Sequence, residues 1–169
     1  MKKKVDVIQD LDGRKIVFLH DVVFKSRRNM DWNQVREYLK GIVGECYEIE
    51  EYSDKIFIGS DFPAEFSGSQ DTYKLKGTLA KAKANAAQAV GKMIEVATNK
   101  RFQNNMKTKH IKDAKYGWYR YTTNFALPVY DDDGNIERYS IFRTEMIVRH
   151  AEDGKLYLYD FVNIKKRNE

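Results

Sequence analysis

The sequence has one cysteine, Cys46, and three histidines, His20, His110 and His150, among 169 residues. A single cysteine excludes an internal disulfide and any cysteine-clustered metal site. No apolar run approaches the ~18–20 residues that a membrane-spanning helix needs. The basic start Met1-Lys2-Lys3-Lys4 is followed by neither an apolar region nor a small-residue cleavage site, so no signal peptide is expected. Gly59, Gly68 and Gly77 fit no phosphate-loop spacing. The Gly-x-Ser-x-Gly elbow of serine hydrolases is missing. Asp131-Asp132-Asp133-Gly134 lacks the alternating acids and terminal Glu of a calcium loop and reads as a turn. These absences leave a reduced, cytoplasmic protein as the expectation, with no membrane, metal or cofactor.

What the chain does hold is charge. Lys and Arg exceed Asp and Glu by 30 to 25, and the formal net charge of +5 hides a larger asymmetry. Between Glu45 and Asp71 the balance is −7; between Lys74 and Arg120 it is +10. A positive block of that size attracts phosphate backbones or acidic partners, or is offset by the acidic segment folded against it.

The periodicity predicts an α+β fold, with helices packed on an antiparallel sheet that ends in a three-strand meander. Residues 1–14 read as a flexible arm and 15–169 as one domain. Lys15–Phe24 is β-branched and aromatic, which suits a buried strand. Asn29 or Asp31 caps a helix through about Val43. Cys46–Ile49 and Lys55–Ile58 suit short strands, followed by a loop with Pro63 and Gly68. The spacing predicts a long helix over Leu79–Thr98 and a second over Arg101–Lys115. Trp118–Tyr130, Ile136–His150 and Lys155–Ile164 then form strands joined by Asp-Gly turns.

Among the histidines, His110 is the strongest candidate for chemistry. Phe102, Met106, His110 and Ala114 are spaced by four, and Lys107, Lys109 and Lys112 surround the imidazole in sequence. Such a histidine moves a proton while the lysines bind phosphate; the alternative is a helix-end histidine facing the C-terminal dipole. His20 reads as a satisfied strand residue and His150 as exposed. Arg120 and Arg143 stand in strands rich in aromatic residues. Guanidinium groups pair phosphates, and a ring such as Tyr121 stacks on a base or packs in a core. Lys81, Lys83 and Lys92 add basic positions along the long helix.

Five stretches carry a family resemblance: LHDVVFKSRRNMDWNQVREYLKGIVGE (19–45), LKGTLAKAKANAAQ (75–88), NKRFQNNMKTKHIKDAKYGWYRY (99–121), FALPVYDDDGNIERYSIFR (125–143) and DGKLYLYDFVNIKK (153–166). Together they resemble the third of the numbered domains associated with large polyvalent proteins of bacterial mobile elements and phages. That resemblance implies the nuclease-like fold of barnase, EndoU, the tRNase colicins and RelE. It also implies a role for Lys109-His110, which matches a Lys-His pair just before the sheet in related phage modules.

Two functions follow as expectations. One is a metal-independent ribonuclease, with His110 moving the proton and Lys109, Lys81, Arg120 or Arg143 stabilising charge on the phosphate. The other is a non-catalytic accessory or inhibitor protein that holds nucleic acid or a host defence complex on a basic face including Lys81, Lys92, Lys107 and Lys112. A third, plainer expectation is a protein partner bound through the acidic 45–71 segment.

Overall fold

A computed structural model describes residues 5–25, 29–103 and 115–167. Its strands are β1 (Val5–Gln9), β2 (Lys15–Leu19), β3 (Cys46–Ile49), β4 (Asp54–Phe57), β5 (Thr98–Gln103), β6 (Trp118–Tyr130), β7 (Ile136–His150) and β8 (Leu156–Lys166). The helices are α1 (Trp32–Leu39), α2 (Phe62–Gly68), α3 (Gln70–Lys74), α4 (Gly77–Ala86) and α5 (Val90–Glu95). Short 3-10 turns occupy Lys40–Ile42 and Ala87–Ala89. The strands form one sheet in the order β1-β2-β6-β7-β8-β4-β3, with β5 also paired to β6.

The meander β6-β7-β8 is the spine. Its turns form as the sequence dictates: Asp131 Oδ1 accepts hydrogen bonds from the Asp133 and Asn135 amides, and Gly134 and Gly154 supply positive φ. Alternation sets the faces. Tyr121, Thr123 and Phe125 of β6, with Phe142, Thr144, Met146 and Val148 of β7, are buried. Most of these side chains share a core with residues of α1, α2, α4 and α5.

The sheet is mixed, not antiparallel throughout. β2 runs parallel to β6 and β4 runs parallel to β8, each over two residue pairs. Both early strands reach the meander only across helical connections, which is how parallel pairs are joined. Residues 5–9, expected in an arm, form β1 and pair with β2 through a turn in which Asp10 Oδ1 accepts from the Asp12 and Arg14 amides. The segment around Pro63, expected as a loop, forms α2 and α3. Proline is tolerated in the first turn of α2, and Ser69 caps α3 by accepting from the Thr72 amide.

The expected Leu79–Thr98 helix breaks into α4, a 3-10 turn and α5, because Ala89 leaves helical geometry. The break lets Gly91 lie against the Tyr47 ring of β3, where any Cβ would collide. Of the helix expected over Arg101–Lys115, Arg101–Gln103 is strand, paired with Arg120, Tyr119 and Trp118, while residues 104–114 lie outside the described residues. Among the described residues, no helix is long and apolar enough to cross a membrane.

Candidate nucleic-acid interface

The sheet face turned away from the core gathers polar side chains from four strands. The registers Arg101↔Arg120, Thr122↔Glu145, Asn124↔Arg143 and Arg143↔Lys165 set them side by side. Glu145 is the hub. Its Oε2 accepts from Arg120 Nη1 at 2.8 Å and from Asn163 Nδ2 at 2.5 Å, and its Oε1 accepts from Arg101 Nη2 at 3.2 Å. Burial works to raise the Glu145 carboxyl, but the Asn163 hydrogen bond and the Arg120 and Arg101 charges hold it below the usual range. Such a carboxylate is a fixed negative charge. It is not a base tuned to neutral pH.

Two asparagines with left-handed backbone flank this hub. Asn163 has φ 55° and Asn99 has φ 56°, a region that asparagine tolerates better than most side chains. Register shifts fall beside each, in the β7–β8 and β5–β6 ladders. Bulges of this kind re-aim side chains. Here Asn163 reaches Glu145, and Asn99 Nδ2 donates to Thr122 Oγ1 at 3.3 Å.

Arg143 stands where three concavities meet. One, of about 310 Å³, lies between Glu50–Glu51, the α5–β5 junction and the Asp12–Lys15 turn. Another, of about 220 Å³, lies over Thr122, Glu145, Asn163 and Lys165. The third extends past Arg14 to Lys165, Lys166 and Arg167. Arg143, Lys165 and Lys166 are exposed, and none forms an ion pair with a described residue.

The structure sorts the sequence candidates. Arg120 and Arg143 share this face, with Arg120 tied to Glu145 and Arg143 without an ion pair to any described residue. Lys81 is exposed elsewhere, in a groove with Trp32 and Tyr73. Lys92 is exposed and pairs with Glu95 at 3.2 Å.

Lys83 does not belong to a basic surface. It is fully buried, because it lies among the inward-facing residues of α4, Ala80 and Ala82 to Ala86. Its Nζ donates to Thr72 Oγ1 at 2.6 Å and meets Asp160 Oδ1 at 2.9 Å. Tyr121 is also fully buried, and its hydroxyl donates to Asp54 Oδ2 at 2.8 Å, so its ring presents no stacking surface. His110, Lys107, Lys109 and Lys112 lie outside the described residues.

Glu145, Arg101, Asn124, Asn163 and Lys165 went unread in the sequence. A signal existed for Glu145, which stands two residues after Arg143 on a legible strand and so shares its face. The others depend on register across neighbouring strands. The acidic and basic sequence blocks do meet within the molecule: Lys100 pairs with Asp54 at 2.7 Å and Lys83 lies 3.7 Å from Asp71. Among the described residues, no three His, Cys, Asp or Glu side chains are grouped to hold a metal ion. Comparison with protein-family models, with curated proteins and with solved structures returns no match.

Proposed function

We propose that this protein binds single-stranded RNA across the open face of β5 to β8, with Arg143 as the central phosphate contact. The observation that carries this reading is the position of Arg143. It is an exposed guanidinium without an ionic partner among the described residues, set at the junction of three concavities beside Lys165. A guanidinium presents a rigid fork of donors suited to phosphate oxygens. The Arg101–Glu145–Arg120 cluster beside it keeps a net positive charge and has its geometry fixed by hydrogen bonds. The expected alternative of a non-catalytic accessory protein that holds nucleic acid fits such a surface.

Binding is favoured over cleavage because the carboxylate at the centre, Glu145, is held ionised and saturated with donors. Ribonuclease activity would rest on His110 instead. The acidic-segment reading is weakened because Glu50 and Asp54 are already paired with Lys15 and Lys100.

The test is a fluorescence-anisotropy titration of a labelled single-stranded RNA, followed by electrophoresis of the same RNA with and without EDTA. Wild type should bind and leave the RNA intact, and Arg143→Glu should weaken binding at least tenfold, as expected when a phosphate contact is replaced by a repulsive charge. EDTA-resistant cutting that is lost in His110→Ala would replace binding with catalysis. Equal affinity of wild type and Arg143→Glu would overturn the site.

A further inference from the structure

β5 is paired on one side only: it meets β6, and no described strand lies along its other edge. Alternation gives that edge two different faces. Arg101, opposite Arg120, stands on the face of Glu145 and Arg143, since its guanidinium reaches the Glu145 carboxylate. Phe102, opposite Tyr119, stands on the other.

Phe102 begins a row of four rings. Its centroid lies 5.3 Å from that of Tyr119, Tyr119 lies 6.1 Å from His150, and His150 lies 5.1 Å from Tyr116. Each ring is tilted on the next, by 41° to 57°, so the rings do not close one another off by stacking face to face. The two ends of the row are open to solvent: Phe102 is 54 % exposed and Tyr116 is 48 % exposed. Backbone bonds hold the row in place. The Tyr116 amide donates to the His150 carbonyl, and the His150 amide donates to that of Gly117. The His150 ring is fixed in turn, with Nε2 donating to the Gly154 carbonyl at 3.2 Å. Two lysines stand over the rings. Lys100 Nζ, which also pairs with Asp54, lies 4.7 Å from the Tyr119 centroid. Lys115 Nζ, 3.9 Å from the exposed Glu152, lies 5.8 Å from that of Tyr116.

We infer that unpaired bases of the bound RNA stack on Phe102 and Tyr116, while its phosphates pass on the Arg101 side of the β5 edge towards Arg143. The inference rests on the RNA-binding reading above and adds to it the course of the strand and a preference for single strands. Rings with cations above them suit the π-faces of bases better than the aliphatic side chains of a protein partner. A duplex keeps its bases stacked on one another and offers such rings only its ends.

The experiment is an anisotropy titration with a labelled single-stranded RNA and with the same strand annealed to its complement. Phe102→Leu keeps an apolar side chain and loses the ring; it should weaken single-strand affinity about tenfold, the scale of one lost base–aromatic stack. Tyr116→Leu should act in the same direction, and Phe102→Tyr should bind as wild type does. Because no phosphate contact is removed, the dependence of affinity on salt should keep its wild-type slope in Phe102→Leu. Duplex affinity should not change in any of the three, and equal melting temperatures show that the fold is intact. Wild-type affinity in both leucine variants, or equal losses for single strand and duplex, overturns the inference; if Arg143→Glu still weakens binding, the phosphate reading stands. Losses in the leucine variants with none in Arg143→Glu keep the rings and remove the Arg143 site. No RNA binding by wild type overturns both.

Discussion

Lys83 and Lys81 stand two positions apart on α4, yet one is fully buried and the other exposed. Their substitutions should separate accordingly. Breaking a buried ion pair strands the partner charge, so Lys83→Ala should cost about 3–5 kcal/mol. Lys81→Ala should stay within about 0.5 kcal/mol of wild type. Urea unfolding of both variants checks this. Asp160, the partner of Lys83, adds a pH signature. Burial, the dominant influence, pushes its carboxyl from the ordinary 3.8 up to about 6, despite the Lys83 charge. The folded state therefore holds this proton more tightly than the unfolded chain. The contribution is complete below about pH 4 and is lost as pH rises through 6, a change of order 3 kcal/mol. Glu145 acts in the opposite sense: its carboxyl is held low, so its contribution is present above the ordinary value of 4.5 and is lost on acidification. Asp160→Asn should flatten the stability profile between pH 4 and 7; an unchanged profile would show that Asp160 does not titrate there.

The elements differ in how plainly the sequence announced them. β6, β7 and β8 were legible because strict alternation and Asp-Gly turns are local signals. α4 was legible as a helix but not in its surroundings. Its alanines are compatible with burial on any side, so spacing alone did not reveal that Lys83 and Asn85 point inward. Asn85 is enclosed because its Oδ1 accepts from the Val23 and Phe24 amides, a contact 61 and 62 residues away in sequence. Arg101–Gln103 of β5 was misread as the start of a helix because Phe102 packs on the Tyr119 ring of the neighbouring strand, 5.3 Å away, a partner that periodicity does not see. The bulge on β8 carries its own prediction. Asn163→Gly keeps the left-handed backbone and loses only the hydrogen bond to Glu145, whereas Asn163→Ala loses both. The alanine variant should therefore be about 1 kcal/mol the less stable, read as the difference between their unfolding free energies.

At the scale of the whole molecule, the basic sequence block and the basic surface are not the same thing. Part of the excess between Lys74 and Arg120 is taken up within the molecule, by Asp54, Asp71, Asp160 and Glu145. The cations beside the cavities that have no ion pair among the described residues come instead from β7 and β8, at Arg143, Lys165 and Lys166. Composition left open whether the basic block forms an anion-binding face or is offset by the acidic segment, because that depends on which charges find partners after folding. Arg143 was a candidate from sequence as a guanidinium in a strand rich in aromatic residues; Asn124 and Lys165 become its companions only through the registers of β6 and β8. The measurement that tests this account most directly is the salt dependence of single-stranded RNA affinity, compared between wild type and an Arg143→Ala, Lys165→Ala double variant. Each phosphate contact to a single strand contributes about −0.7 to the slope of log affinity against log salt. The account predicts that the double variant loses affinity and that its slope becomes shallower by about 1.4. Identical slopes and affinities in the two proteins would contradict it.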